Sequence, residues 1–334
     1  MSMRTIFAEQ YVKLPVLVDS TTCFGRTYIV TGANNGLGLE TARHLVGASA
    51  TRVILAVRNL SAGEKAKLDI ERTTRRNGVV QVWHLDLASA ESVQSFAAKA
   101  GAELDRIDGL IENAGVWLDA WTLAEGGMEM CMTVNVINTI LLGVLMMPKL
   151  MESAKQFGLQ PRLVFVVSGL GFQAMARKEL IKGGKVDVLV GLNDQKQQSM
   201  GGRYALTKLV EAYAIRALAA AYPVEKTNVI INMVSPGICA TGLARDTHML
   251  VRAAQSVLHA VVARTAEEGS RTILHAILAD EGTHGKHLSG CKIKDNWIQP
   301  WMKDTEGQKM QKQIWEELGD LMEKERPGCM RSEL

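Results

Sequence analysis

Tyr204 and Lys208 stand four residues apart in a stretch whose apolar residues recur at helical spacing. An i, i+4 pair on a helix puts both side chains on one face, so the phenol and the ammonium are neighbours. A phenol is a poor acid–base catalyst at neutral pH because its reference pKa is near ~10. A lysine charge about 4 Å away, at an effective dielectric of about 20, favours the phenolate by roughly 4 kcal/mol. That is about three pKa units before desolvation acts against it. The phenol is then expected to titrate near the operating pH, where general acid–base catalysis is efficient. Tyr-x-x-x-Lys also occurs in ordinary helices and gains weight only in company. Its company is Ser168, directly after an apolar run, and a glycine turn far upstream.

That turn is TGANNGLG, residues 31–38, with Gly32, Gly36 and Gly38. A short apolar run, Tyr28–Val30, precedes it, and residues 36–47 have the apolar spacing of a helix. Glycines at a strand-to-helix turn allow positive φ and a close backbone approach to a ligand. The free N–H groups at the helix start favour a phosphate. A glycine-rich turn with no ligand is the ordinary alternative, so the other elements must decide.

Strands are expected at Tyr28–Val30, Arg52–Val57, Val79–Leu85, Gly109–Glu112, Leu163–Val167 and Asn228–Met233. Helical patterns lie between them at 36–47, 61–76, 89–104, 123–150 and 203–222. This alternation, with near-continuous apolar strands, implies an α/β fold: a single doubly wound parallel sheet with helices on both faces. Ligands on such sheets bind beyond the carboxyl ends of the strands. The residues there are the glycine turn, then Arg58, Asp86-Leu87, Asn113-Ala114-Gly115, Ser168 and Ser235-Pro236-Gly237. Dinucleotide folds carry either an acid for the ribose hydroxyls or an arginine for a 2′-phosphate after the second strand. Arg58 without an acid points to NADP(H).

TGANNGLG, Asn113-Ala114-Gly115, Asn135, Ser168, Tyr204-x-x-x-Lys208 and Pro236-Gly237 occur in that order. Together they resemble the short-chain dehydrogenase/reductase family, whose fold is of Rossmann type, over roughly residues 25–290. ENAGVW, INMVSPG and ARTAEEGSRT are most similar to retinol-dehydrogenase-like reductases of fungal secondary metabolism. The resemblance implies that Tyr204 exchanges the substrate proton, Lys208 holds the nicotinamide ribose and lowers the phenol pKa, and Ser168 hydrogen-bonds the carbonyl oxygen. It implies that Asn135 anchors a water between Lys208 and solvent. Gly32, Asn35, Gly36, Leu37 and Gly38 would cradle the pyrophosphate side, Asp86 and Leu87 the adenine, and Asn113, Ala114 and Gly115 the ribose. Pro236, Gly237 and Thr241 would cover the nicotinamide. Glu112, where asparagine is frequent, and Val167, where a second serine is common, read as minor departures. The gap from Ser168 to Tyr204 is unusually long.

The implied activity is interconversion of a small ketone or aldehyde and an alcohol. The alternatives are an epimerase or lyase on the same scaffold, and a cofactor-holding protein without redox turnover. The substrate stays open, because loops 169–202 and 242–264 would form its pocket and obey no code.

Composition bounds the rest. The 334 residues are 47% hydrophobic and 22% charged with net charge +3, which suits a globular protein and argues against nucleic acid or membrane as partner. The N-terminus lacks a continuous apolar signal region. Cys23, Cys131, Cys239, Cys291 and Cys329 are odd in number and form no C-x-x-C pair, so a reducing, cytoplasmic setting is expected without disulfides or structural zinc. His284 and His287 have a spacing that could suit a metal, but no carboxylate or thiol accompanies them, and no metal is expected. The chain divides into a polar arm (1–24), a catalytic domain (25–290) and a C-terminal extension (291–334) with a helix at 306–325. Residues 169–202 read as surface loop or substrate lid, and 281–304 as loop. Thr133–Leu150 is short for a membrane span. Helices 133–150 and 203–222 either pair across a homodimer or are buried in the monomer.

Overall fold

A run of apolar residues buried on both faces suits a central strand, and five such runs, with a half-buried edge strand, make up six of the sheet's eight described strands. In the computed structural model, which describes residues 9–183, 187–196, 198–244 and 262–330, they are β1 (Thr27–Thr31), β2 (Arg52–Val57), β3 (Val80–His84), β4 (Gly109–Glu112), β5 (Arg162–Val166) and β6 (Ile230–Ser235). The helices between them are α1 (Gly36–Gly47), α2 (Leu60–Thr74), α3 (Ala90–Glu103), α4 (Asn138–Phe157), α5 (Ala174–Gly183), α6 (Val188–Leu192) and α7 (Met200–Ala221). After β6 come α8 (Ala266–Leu278), β7 (His287–Ser289), β8 (Lys292–Ile293) and α9 (Thr305–Glu325). The strand order is β3-β2-β1-β4-β5-β6-β7-β8, parallel except for the last pair. The order reverses between β1 and β4, which opens a crevice at their carboxyl ends. The fold is a doubly wound, Rossmann-type α/β sheet.

Two cores follow from strand alternation. Ile29, Leu110, Leu163 and Phe165 face α3, α4, α7 and α9, while Val30, Ile111, Val164 and Val166 face α1, α2 and α8. Helices α4 and α7 are buried by their own chain. The helical stretch Met130–Phe157 is long and apolar enough to cross a membrane, yet 89% of its most apolar window is buried inside the protein.

Four expectations need correction. The helix expected over 123–150 starts at Met130, because Leu123 and Glu129 close a short antiparallel bridge before it. It passes Pro148 and ends where Gly158, at φ +59°, donates its N–H to Ala154 O. Stretch 281–304 is not all loop: it supplies β7 and β8, too short to show a period. Stretch 169–202 is largely helical in its described residues, and Phe172, Ala176, Leu180, Val188, Leu189 and Leu192 are buried. The carboxylate of Glu317 on α9 accepts the N–H groups of Val188 and Leu189 and fixes α6 there. The described part of the arm is not simply polar, since Leu14 and Val18 are buried. Of loop 242–264, residues 245–261 lie outside the described residues.

Candidate active site

The glycine turn and the Asn113-Ala114-Gly115 turn are laced together at the crevice. Thr31 Oγ1 accepts the N–H groups of Asn113 and Ala114, both at 2.9 Å, and Thr31 O accepts Asn113 Nδ2 at 2.8 Å. Gly38 lies so close beneath this lacing that a Cβ there would sit 2.6 Å from Asn113 Nδ2 and 2.9 Å from Gly32 O. Asn35 precedes α1 with extended backbone, and its side chain makes no cap bond. The first N–H groups of α1, from Gly36, Leu37 and Gly38, therefore carry no side-chain acceptor and suit a pyrophosphate. Arg58 is exposed at the end of β2, with no side-chain partner among the described residues. Asp86 and Leu87 follow β3: Asp86 Oδ1 accepts the Ala88 N–H, and Leu87 O accepts Asn138 Nδ2. After β6, Pro236 O accepts from Arg264, and Gln10 of the arm brackets Ile238, accepting its N–H and donating to its carbonyl. Thr241 closes over the opposite side of the glycine turn, 3.4 Å from where a Gly36 Cβ would be. These residues fit a dinucleotide: a free helix N-terminus, a close-packed glycine floor and an unpaired cation at the second strand.

The reacting groups meet at the ends of β4 and β5. Ser168 lies two residues past β5, and its Oγ accepts the Leu170 N–H at 3.3 Å, capping the tight turn Gly169–Phe172. Gly171 lets that turn press on α7, since a Cβ there would be 2.8 Å from the Lys208 carbonyl carbon. The contact brings the Ser168 side chain beside the Tyr204 phenol, whose pKa its hydroxyl lowers. Trp117 stacks flat on Tyr204, with centroids 4.6 Å apart and planes 3° apart. Asn135 sits in a π-helical turn, Thr133–Ile137, of the kind that often marks functional sites. Its Oδ1 accepts the Val116 N–H, and its Nδ2 donates to Val116 O and Thr207 Oγ1. The side chain thus fixes the start of the Trp117 loop against α7.

The structure corrects the expected electrostatics of Tyr204. Burial holds the phenol above its ordinary value; Lys208 pulls it down, and the Glu211 carboxylate pushes it back up. Lys208 is not free to act on the phenol alone. Its Nζ donates to Val166 O at 2.9 Å and pairs with Glu211 Oε2 at 2.7 Å, with both side chains buried. Glu112 is not a minor departure either: it is buried, and neither of its carboxyl oxygens has a partner in hydrogen-bond geometry.

Beyond Glu211 and Trp117, sequence reasoning missed the tie beneath the first turn of α7. Arg203 Nε donates to Glu129 Oε2 at 2.7 Å with both side chains fully buried, and Arg203 Nη1 donates to Leu192 O. Its guanidinium also lies 4.9 Å over the Trp121 ring. The adjacency Arg203-Tyr204 and the tryptophans of ENAGVWLDAW were the available signals. His284 and His287 are not brought together on one ligand. The His284 ring lies between the Ile231 N–H and Ala219 O, and His287 Nε2 meets Ser235 Oγ at 2.9 Å.

A parallel sheet with a dinucleotide cradle at its switch point, and a Ser–Tyr–Lys cluster at the next strand ends, defines a nicotinamide-type oxidoreductase. Residues 26–188 match the short chain dehydrogenase family. The chain belongs to that family. It is 44% identical to the short chain dehydrogenase atnD of Emericella nidulans over 84% of this chain and 88% of that one. It is 35% identical to the short chain dehydrogenase/reductase dmxR8 of a Cryptosporiopsis species over 98% of each. Among solved structures, a Mycobacterium paratuberculosis protein superposes with TM-score 0.64 at 25% identity, over 91% of this chain and 97% of that one. A short-chain dehydrogenase structure from Escherichia coli CFT073, complexed with NADPH, gives TM-score 0.60 at 23% identity over 81% and 99%.

Proposed function

We propose that this oxidoreductase is an NADP(H)-dependent carbonyl reductase, or alcohol dehydrogenase in reverse, acting on a small ketone or aldehyde in the cytoplasm. The observation that carries the reading is Tyr204, placed beside Ser168 and one turn from Lys208, at the strand ends next to the dinucleotide cradle. Gly36, Leu37 and Gly38 would hold the pyrophosphate, Asp86 and Leu87 the adenine, Asn113 to Gly115 the ribose, and Pro236, Gly237 and Thr241 the nicotinamide side. Arg58 would pair with the 2′-phosphate as a charge-assisted donor. Bound NADPH supplies hydride to the carbonyl carbon.

The chain's own groups manage the oxygen. The Ser168 hydroxyl donates to the carbonyl oxygen and orients it toward Tyr204. The phenol gives its proton to that oxygen as negative charge develops there, so C=O becomes C–OH and Tyr204 is left as phenolate until it recovers a proton. Burial of Tyr204 and the stacked Trp117 keep water from competing for that proton. Support for NADP(H) comes from Arg58 and from the NADPH complex of the structural neighbour. A place in secondary-metabolite formation follows the similarity to fungal reductases.

The test is a panel of ketones and aldehydes followed by NADPH absorbance, repeated with Tyr204→Phe. Loss of the proton donor should lower kcat by the ~10²–10⁴-fold typical of general acid–base groups, with cofactor affinity nearly unchanged. A Tyr204→Phe protein with ordinary turnover would falsify the assignment.

A further inference from the structure

Three ionisable side chains lie sealed beneath Tyr204: Lys208, Glu211 and Glu112, at 4%, 1% and 2% exposure. The strand register explains why they meet. Glu112 ends β4 and pairs with Phe165 on β5, so both side chains leave the sheet on the face that α7 covers. Val166 is the next residue, and its carbonyl anchors Lys208 Nζ at the level where β4 ends. The same Nζ lies 4.0 Å from where a Cβ on Gly115 would be, three residues past Glu112. Glu211, one turn along α7, pairs with the ammonium at 2.7 Å.

The charges do not balance if every group ionises. Two carboxylates would face one cation, and Glu112 would have no cation of its own, only the Thr31 hydroxyl nearby and outside hydrogen-bond geometry. A buried carboxyl in that position takes up a proton. Burial, followed by the Glu211 charge, holds Glu112 well above the usual carboxylate range, while the Thr31 hydroxyl pulls weakly the other way. Burial pushes Glu211 up to about 7 against the pull of Lys208. The groups that face the pair are Tyr204 and Lys208 from α7 and Thr31 from β1; no other charged group acts on either carboxyl among the described residues.

We propose that Glu112 and Glu211 carry one proton between them at neutral pH, and that this proton-loaded carboxyl pair sets the charge Lys208 presents to Tyr204. With one proton in the pair, carboxylate and ammonium cancel, and the phenol keeps its proton. A second proton, taken from solvent as pH falls, leaves the ammonium unopposed and favours the phenolate. Both carboxyls are positioning residues, acting on the phenol through Lys208. The catalytic consequence rests on the proposed role of Tyr204 as proton donor; the proton held by the pair does not.

Infrared spectroscopy of the purified full-length protein near pH 8, without cofactor, reads the proton directly. Glutamate labelled with carbon-13 assigns the band. The wild type should show one protonated glutamic acid carbonyl stretch, and both Glu112→Gln and Glu211→Gln should lose it. In each variant the remaining carboxyl becomes the sole counterion of Lys208 and ionises. No band in the wild type, or a band that survives in either variant, overturns the proposal. A variant that fails to fold by circular dichroism is replaced by carbon-13 NMR of the labelled wild type. One carboxyl at the protonated shift at pH 8 supports the pair, and carboxylates alone refute it. For turnover, Glu112→Gln/Glu211→Gln leaves Lys208 without a counterion. The phenol limb of kcat should then move down by about one pH unit or more, with the cofactor KM changing less than about threefold. An enzyme that reduces no carbonyl compound would sink the functional reading and leave the infrared result standing.

Discussion

Replacing Glu129 with Gln leaves the Arg203 guanidinium charged and fully buried with its ionic partner gone. The ion pair is 2.7 Å long with 0% exposure on both sides. At that separation and an effective dielectric of about 20 the gross attraction is about 6 kcal/mol. Little else compensates Arg203: Nη1 has Leu192 O, Nη2 has no hydrogen-bond partner, and the Trp121 face offers only a cation–π contact. The same carboxylate accepts the N–H groups of Cys131 and Met132 at the start of the π-turn helix, and a Gln oxygen can replace only one acceptor of the two. Breaking one side of a buried pair costs about 3–5 kcal/mol, and that is the expected loss in Glu129→Gln. Urea unfolding followed by tryptophan fluorescence measures it. Because Arg203 adjoins Tyr204, kcat should fall together with stability. Glu129→Leu/Arg203→Met, which removes both charges, should recover most of the stability. A loss below about 1 kcal/mol in Glu129→Gln would mean that the pair is not sealed and that the first turn of α7 is held by packing alone.

Arg58→Asp should invert the cofactor preference. It removes a charge-assisted bond worth roughly 1.5–3 kcal/mol, or about 10–150-fold, and sets a carboxylate against the 2′-phosphate; kcat/KM with NADPH and NADH in both proteins decides it. Gly38→Ala must push Asn113 off Thr31 O, because its Cβ would sit 2.6 Å from Asn113 Nδ2. Overpacking of about 1–3 kcal/mol should weaken NADP(H) binding about 5–150-fold by calorimetry, and unchanged affinity would show that the lacing does not shape the cradle. His287, pressed by Phe172 and Trp297, is pushed down to about 4 by burial. Its folded value lies below the unfolded one, so its contribution is present above about 6.5 and is lost as pH falls toward 4. The loss is ~3 kcal/mol, and a His287→Gln protein should show a flatter stability profile over that range.

What the sequence showed and hid divides along physical lines. Strands β1, β2, β4, β5 and β6 were legible because burial on both faces leaves a continuous apolar run, β3 because its β-branched and aromatic residues stand out even at the sheet edge, and α1 because its period and its glycine turn agree. β7 and β8 were illegible: three and two residues carry no period, and only their neighbours make them strands. Stretch 169–202 read as loop because its short helices depend on distant partners for their stability: α5 packs on α7, and α6 on α9 and its Glu317 cap, a contact made from 129 residues away. At the site, Tyr204 and Lys208 were legible from their helical spacing taken together with Ser168 and the glycine turn. The partner of Lys208 was not: Glu211 lies one turn on and read as an ordinary helical residue, and Glu112 read as a substitution without consequence. Buried charge is a property of depth, and depth is set by the sheet register that brings Glu112 beneath α7.

The arm that reaches the Pro236 turn has a bearing on how the molecule is made. Glu9 pairs with Lys294, 285 residues away, and Gln10 brackets Ile238 across 228. At ~5–20 residues per second of synthesis, the arm waits roughly 10–60 s for these partners to be translated. Contacts of such span form late, after the local α/β units have already condensed. Half of the dinucleotide site, around the glycine turn, can assemble while the ribosome is still at work. The Pro236 turn has no bracket from the arm until Ile238 has been made, no tie to Arg264 until that residue follows, and no Glu9–Lys294 clamp on the arm that braces it until residue 294, so a nascent chain stalled before Ile238 would be folded in large part and yet leave its first residues without their partner.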